Sequence, residues 1–276
     1  MTTLQAIALG FVQGATEFLP VSSSGHLVIL QTLFGIEDNN VAFAVLLHAA
    51  TLIAIIGAYY KSVWSLIVEF LKMLGDIFTF KGANLKKSKY RYYIVYIIVA
   101  SIPAGIVGVL FQDFFEAAFN SIYVVCITLF FTGLILVIGE RVGRNNTLLL
   151  EEIGPIKSFI VGICQMCAIL PGISRSGTTM TGGLLCGLKK EEALEFSFLM
   201  AIPTILGSVV LKLGDIAIAI KEISIIPIVS GFVTALIIGY LSITLFKKIV
   251  QKGSLMTFCI YCWAISIILA LNIGKF

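Results

Sequence analysis

The sequence predicts an all-α polytopic membrane protein with six transmembrane helices and two re-entrant helical hairpins, arranged as an inverted-topology repeat. Of the 276 residues, 59% are hydrophobic and only 12% are charged, whereas soluble proteins carry about 25% charged residues. Six stretches have the roughly 20 apolar residues that a spanning helix needs. Two longer apolar stretches are interrupted by proline and serine. We therefore treat residues 1–276 as a single membrane domain.

The six predicted spans cover residues 41–60, 92–111, 121–139, 193–213, 225–246 and 254–272. Residues 62–80 are also apolar, but they include Glu69, Lys72 and Asp76. We interpret this segment as an amphipathic helix lying in the membrane interface, and a seventh span as the less favoured alternative.

The two interrupted stretches predict re-entrant hairpins. Residues 4–34 contain Pro20 and "SSSG", and residues 155–188 contain Pro171 and "SRSG". The pieces on either side of each interruption are too short to cross a bilayer. Non-helical backbone at membrane depth is tolerated only where it is buried in protein or lines a wet cavity. Each stretch is therefore expected to enter the membrane, turn and leave on the same side.

The two hairpins resemble each other at an offset of 152 residues, which predicts an internal repeat. The first repeat covers residues 1–139, with hairpin 4–34 and three spans, and the second covers 155–272, with hairpin 155–188 and three spans. Three spans are an odd number, so the second repeat is inverted, and such folds place a site near the midplane. The matching pairs are Gly10 and Gly162, Gln13 and Gln165, Ser22 and Ser174, Ser24 and Ser176, and Gly25 and Gly177.

The distribution of basic residues predicts the orientation in the membrane. In this scheme, 15 of the 19 lysines and arginines lie on one side of the membrane. Lys212, Lys221 and Lys275 lie on the other side, and Arg175 lies within the second hairpin. Basic loops stay cytoplasmic, so both termini are expected outside, and the turns of the two hairpins can meet. The net charge of +4 is thus explained by topology and does not indicate nucleic-acid binding.

Two charges lie at hydrocarbon depth, Glu17 in the first hairpin and Arg175 in the second. Intramembrane charges are costly and usually functional, and each needs a partner. The two residues are expected to partner each other. A purely structural ion pair would explain these charges but would leave the surrounding hydroxyl groups unexplained.

The residues in the two turns predict an anion site. Hydroxyl groups, free backbone N–H groups and helix N-termini together bind anions, and arginine suits phosphate. These parts suit a multiply charged phosphate ligand. The candidate binding residues in the turns are Ser22, Ser24, Gly25, Ser174, Ser176, Gly177, Thr178 and Thr179. Gln13, four residues before Glu17 and on the same helix face, is a further candidate.

Glu17 indicates more than anion binding, because a carboxylate repels phosphate. It fits a cation ligand or a general base, and a serine beside a base can accept a phosphoryl group. His26 could be the base, the acid or the nucleophile, or it could simply bind a carbonyl at the start of a helix. His48 is interpreted mainly as a packing residue on the first span.

At these residues the sequence resembles the undecaprenyl-diphosphate phosphatase family of the bacitracin-resistance type. "QGATEFLPVSSSGHL" is similar to the family's (E/Q)-x-x-x-E and P-V-S-S-[ST]-G-H motifs, and "LPGISRSGTT" is similar to its P-G-x-S-R-S-G-x-T motif. "EFSFLMAIPTILG" resembles the segment that follows in the family. The resemblance runs nearly the whole length, with both motifs in the family's order.

This resemblance implies an integral phosphatase of the bacterial cell membrane that converts undecaprenyl diphosphate to undecaprenyl phosphate, the carrier lipid of peptidoglycan synthesis, and so gives bacitracin resistance. It implies catalytic roles for Glu17, Ser23, His26 and Arg175, a site open to the outer side, and a divalent cation, Mg²⁺ or Ca²⁺, at Glu17. Many members carry glutamate where this chain has Gln13, which leaves one carboxylate for that cation. The implied partners are the polyprenyl diphosphate substrate and the bilayer. A homodimer is one oligomeric state compatible with the sequence.

The alternative is a secondary transporter or flippase of an anionic polyprenyl phosphate lipid. Inverted repeats and broken helices with midplane charges are transporter devices. The Ser-x-x-His spacing beside a carboxylate favours hydrolysis, because transport needs no nucleophile.

Overall fold

The computed structural model describes residues 1–36, 41–80, 82–214 and 224–272. These ranges are helical and contain no β-strand. Lys81, Lys221 and Lys275, used in the charge count, lie outside the described residues. Twelve α-helices occur in the described part: α1 Thr3–Phe18, α2 Ser23–Leu33, α3 Val41–Ala58, α4 Tyr60–Phe78, α5 Lys89–Leu110, α6 Gln112–Phe119, α7 Ile122–Val142, α8 Gly154–Cys167, α9 Arg175–Leu185, α10 Lys190–Leu211, α11 Ile225–Lys252 and α12 Met256–Asn272.

Within the described residues, four helices are long and apolar enough to cross a membrane: α5, α7, α10 and α11. Helices α3 and α4 give a fifth if the bent pair is counted as one span; the chain bends by 89° between them. Helix α4 therefore does not continue the direction of α3. Helix α12 is apolar but shorter. The protein is thus an all-helical membrane protein with four or five membrane-capable helices.

The interruptions predicted at the two prolines are confirmed. Helix α1 ends at Phe18, two residues before Pro20, and α2 begins at Ser23; α8 ends at Cys167, and α9 begins after Pro171. Proline disfavours helical backbone at the residue before it and cannot donate a main-chain hydrogen bond. Each apolar stretch is therefore two helices that pack against each other across a turn.

The first helix of each hairpin packs mainly on a helix from the other half of the chain. Helix α1 lies along α11, and α8 lies along α5. Gly10 and Gly162, which match in the repeat, sit at these crossings. A β-carbon at Gly162 would lie 2.5 Å from the carbonyl oxygen of Ala100, and one at Gly10 would overlap the carbonyl of Gly231. Glycine at both positions lets the helix backbones touch.

A core of buried aromatic side chains lies directly behind the end of α1. Phe18 is fully buried and packs edge-on against Phe198 of α10, with 5.5 Å between ring centroids. Phe198 in turn contacts Tyr59 and Phe246. Close packing of this kind fixes side-chain rotamers, so the residue before Phe18, Glu17, is carried on a rigid segment.

Candidate active site

The first turn places Ser23 at the start of α2. Ser22 is the N-cap, and its hydroxyl accepts a hydrogen bond from the N–H of Gly25 at 3.3 Å. The backbone of Ser22 has φ +69°, a region that costs non-glycine residues of order 1–3 kcal/mol and is concentrated at functional sites. Only four residues connect α1 and α2, and this tight turn brings Ser23 back beside Glu17.

The second turn is held by threonines of α7. Thr132 Oγ1 donates to the carbonyl of Gly172 at 2.7 Å and accepts from the N–H of Ser174 at 3.1 Å. Thr128 Oγ1 donates to the carbonyl of Pro171 at 2.6 Å. Gly172 has φ +90°, and a β-carbon there would collide with Thr128. These bonds satisfy main-chain groups that the turn removes from helices.

The two turns have the same local hydrogen bonds, as their sequence similarity predicts. Ser174 caps α9 by accepting from the N–H of Gly177 at 3.2 Å. The hydroxyls of Ser22 and Ser24 lie 3.3 Å apart, and those of Ser174 and Ser176 lie 3.2 Å apart.

The first two N–H groups of each following helix are free to bind an anion. In α2 and α9 these groups find no acceptor among the described residues. They belong to Ser23, Ser24, Arg175 and Ser176.

The two turns touch each other. Ser176 Oγ donates to the main-chain carbonyl of Leu19 at 3.1 Å. A β-carbon at Gly25 would lie 3.0 Å from Cα of Gly172, and one at Gly177 would lie 3.1 Å from Pro20. The predicted proximity of the turns is therefore confirmed, and the N-termini of α2 and α9 converge on one region.

Glu17 is the centre of this region. Its Oε1 accepts from Nη2 of Arg175, and its Oε2 accepts from Ser23 Oγ at 2.5 Å and from Gln13 Nε2 at 3.0 Å. The Glu17 side chain is 5% exposed and that of Arg175 is 15% exposed. The predicted contact between these charges is confirmed. The hydrogen bonds also compensate the desolvation of the carboxylate.

Both nitrogens of His26 are engaged by groups other than Ser23 and Glu17. Nδ1 donates to the carbonyl of Ser22 at 2.7 Å, and Nε2 accepts from the Tyr261 hydroxyl at 2.8 Å. The carbonyl can only accept, so it fixes the tautomer. Sequence reasoning missed Tyr261, which is 235 residues away and carries no local signal.

The histidine beside the carboxylate is His48, which the sequence favoured as a packing residue. Its Nε2 lies 3.6 Å from Glu17 Oε2. Helix α3 packs against both α1 and α11, and this packing sets the ring beside Glu17.

The two candidate threonines of α9 differ in their contacts. Thr179 Oγ1 donates to the carbonyl of Arg175 at 2.7 Å and lies 2.6 Å from Ser197 Oγ of α10, so it anchors α9. Thr178 Oγ1 is buried and has no hydrogen-bond partner among the described residues.

A divalent cation at Glu17 would need further ligands that are not acidic side chains. No group of three or more histidine, cysteine, aspartate or glutamate side chains within the described ranges could hold a metal ion. Gln13 Oε1, however, is buried and finds no hydrogen-bond donor in the described part of the chain. A carboxylate beside an orphaned amide oxygen is compatible with a hard cation, whose ligands are oxygens.

Comparison with known proteins identifies the family of this chain. The family model for the bacitracin resistance protein BacA matches residues 6–268. An undecaprenyl-diphosphatase from Methanobrevibacter smithii is 43% identical, over 97% of this chain and 96% of its own. Undecaprenyl-diphosphatases from Alkaliphilus metalliredigens, at 38% identity over 98% of both chains, and Halothermothrix orenii, at 36% over the full length of both, are also similar. Because the family model covers nearly the whole sequence, the chain belongs to the bacitracin resistance protein BacA family.

Proposed function

We propose that the chain hydrolyses undecaprenyl diphosphate to undecaprenyl phosphate and inorganic phosphate. This activity would recycle the carrier lipid of peptidoglycan synthesis and give resistance to bacitracin. The relatives' names point to this substrate. The observation that carries the proposal is the 2.5 Å hydrogen bond from Ser23 Oγ to Glu17 Oε2, because a serine on a buried carboxylate has the arrangement of an activated nucleophile.

Ser23 is assigned as the nucleophile and Glu17 as its base. As Ser23 Oγ attacks the terminal phosphorus, its proton passes to Glu17 Oε2, the Oγ–P bond forms, and the bond from phosphorus to the bridging oxygen breaks. Undecaprenyl phosphate leaves. Glu17 passes the proton from Ser23 to the departing phosphate oxygen and is again a carboxylate. Water then attacks the phosphoserine and gives one proton to Glu17; the Oγ–P bond breaks, Glu17 returns that proton to Ser23 Oγ, and phosphate is released.

The guanidinium of Arg175 and the N-termini of α2 and α9 are assigned to binding the diphosphate. The guanidinium can hold Glu17 with one nitrogen and a phosphate oxygen with others, since it carries five N–H donors. The free N–H groups at the starts of α2 and α9 point to the same region and favour negative charge. Preorganised donors of this kind stabilise the charge that develops during phosphoryl transfer.

His26 is assigned to holding the first turn. Its Nδ1 bond to the Ser22 carbonyl supports the unusual backbone of Ser22, and its Nε2 is engaged by Tyr261. Ser23 is thereby favoured over His26 as the nucleophile, because the Ser23 hydroxyl is the one that meets the base.

A divalent cation forms part of the proposal. Glu17 and Gln13 would hold it, and when bound it would neutralise diphosphate charge. Its identity, Mg²⁺ or Ca²⁺ by resemblance to the family, is tested by comparing phosphate release with each ion and with a chelator.

The proposed topology has six spans, two re-entrant hairpins and an inverted repeat, with both termini and the site opening outside. It is supported by the reciprocal packing of α1 on α11 and of α8 on α5, and by the matched glycines at those crossings. Protease accessibility of tags at the two termini in intact cells tests it: both should be cleaved from outside.

The function is tested by phosphate release from undecaprenyl diphosphate by the purified protein in detergent. Release without a membrane gradient is expected of a hydrolase and separates it from a transporter. Glu17→Ala should abolish turnover in folded protein. Normal turnover by this variant would overturn the assigned base.

A further inference from the structure

The ring of His48 is fixed so that one nitrogen faces Glu17. Nδ1 donates to the main-chain carbonyl of Ala44 at 2.7 Å, so neutral His48 carries its lone pair on Nε2. That atom lies 3.6 Å from Glu17 Oε2. In that form the Nε2 lone pair faces the carboxylate oxygen, and the distance is too long for a direct hydrogen bond.

The separation of these two atoms suits two ligands of one metal ion. With metal–nitrogen and metal–oxygen bonds of about 2.1 Å, ligand angles of 90–120° place the donors roughly 3.0–3.6 Å apart. Histidines that bind metals almost always donate their other ring N–H to a carbonyl or carboxylate. His48 does this through Ala44, which fixes both the tautomer and the direction of Nε2.

The side chain of Gln13 contacts the same carboxylate and carries an oxygen that is unsatisfied within the described ranges. Gln13 Nε2 donates to Glu17 Oε2 at 3.0 Å, and Gln13 Oε1 is buried without a partner among the described residues. Leaving a buried acceptor unsatisfied is unfavourable. A cation reached by this oxygen would remove that cost.

We propose that His48 is a nitrogen ligand of the divalent cation and completes a mixed site with Glu17 and Gln13. This inference rests on the proposed function and deepens it by naming the ligand set. Mg²⁺ and Ca²⁺ take oxygen ligands, whereas imidazole favours first-row transition metals. The site is therefore expected to bind Mn²⁺ more tightly than Mg²⁺ or Ca²⁺, with diphosphate oxygens and water in the remaining positions.

The test is Mn²⁺ binding to the full-length protein in detergent, without substrate, measured by electron paramagnetic resonance. The chain has only two histidines, so a preparation without a histidine tag gives an unambiguous imidazole ¹⁴N coupling. Wild type and His26→Gln should show this coupling. His48→Gln should lose it and bind Mn²⁺ about tenfold or more weakly, while melting like wild type in the absence of metal.

Three results would overturn the inference: coupling that persists in His48→Gln, unchanged Mn²⁺ affinity in that variant, or no Mn²⁺ binding by wild type. His48→Asn serves as a second variant if His48→Gln does not fold. Phosphate release by the same preparations separates the two proposals. Failure of the proposed function appears as wild type that releases no phosphate, whatever its Mn²⁺ spectrum.

Discussion

Replacing Arg175 with methionine tests whether the Glu17 pair is buried as described. Methionine keeps much of the volume and removes the charge. The Glu17 side chain is only 5% exposed, so the variant leaves a buried carboxylate without its cationic partner. Removing one partner of a buried pair costs about 3–5 kcal/mol, whereas replacing both with neutral groups is often neutral or stabilising.

The free energy of unfolding, measured by SDS titration in mixed micelles, should therefore fall by about 3–5 kcal/mol in Arg175→Met. The double variant Glu17→Gln with Arg175→Met should recover to within about 1 kcal/mol of wild type. Glu116→Gln is the matched control: Glu116 accepts from Lys212 at 2.7 Å but is 46% exposed. Exposed pairs contribute about 0–1 kcal/mol.

Two results would refute the reasoning. If Arg175→Met were no less stable than Glu116→Gln, the carboxylate would be hydrated rather than buried. The single variant Glu17→Gln is measured as well. If the double variant lost as much free energy of unfolding as Glu17→Gln and Arg175→Met together, the two side chains would not interact. Arg175→Met and the double variant should both be inactive, so stability and activity must be reported separately.

Two further predictions concern packing and positioning. Gly162→Ala should destabilise the protein by about 1–3 kcal/mol through overpacking against Ala100. The control is Gly105→Ala, which has no atom within 4 Å of its new β-carbon and should be neutral or slightly stabilising in the same titration. Equal effects of the two substitutions would contradict the helix crossing. Tyr261→Phe removes the hydroxyl that binds His26. It should lower the free energy of unfolding by no more than about 1 kcal/mol, the net contribution of one hydrogen bond, and should also lower kcat. Full kcat would show that this bond does not position His26.

The parts of the site that could be predicted from sequence are those with strong local or charge signals. Pro20 and Pro171 end helices wherever the chain runs, because their chemistry is local. Glu17 and Arg175 were expected to meet because neither charge is stable alone in hydrocarbon. The serines of both turns were predicted as anion-site residues next to helix N-termini, and their capping role appears only in the structure.

The remaining parts depend on which helices pack together, and single-sequence patterns do not contain that information. His48 reaches Glu17 only because α3 packs against α1, and Tyr261 reaches His26 from the last helix described. Thr132 looked like any apolar-helix threonine, yet it holds the second turn. Apolar helices also have no polar face to set their orientation, so their partners appear only in the fold.

The identity of the phosphorylated residue decides whether Ser23 attacks the substrate. Rapid quenching of the purified protein with substrate labelled in its terminal phosphate, in acid and in base, should trap an acid-stable phosphoserine at Ser23. Ser23→Ala should show neither label nor turnover, whereas Ser101→Ala, whose hydroxyl binds its own helix at the carbonyl of Ile97, should retain both. An acid-labile label on His26, or turnover by Ser23→Ala, would contradict the mechanism.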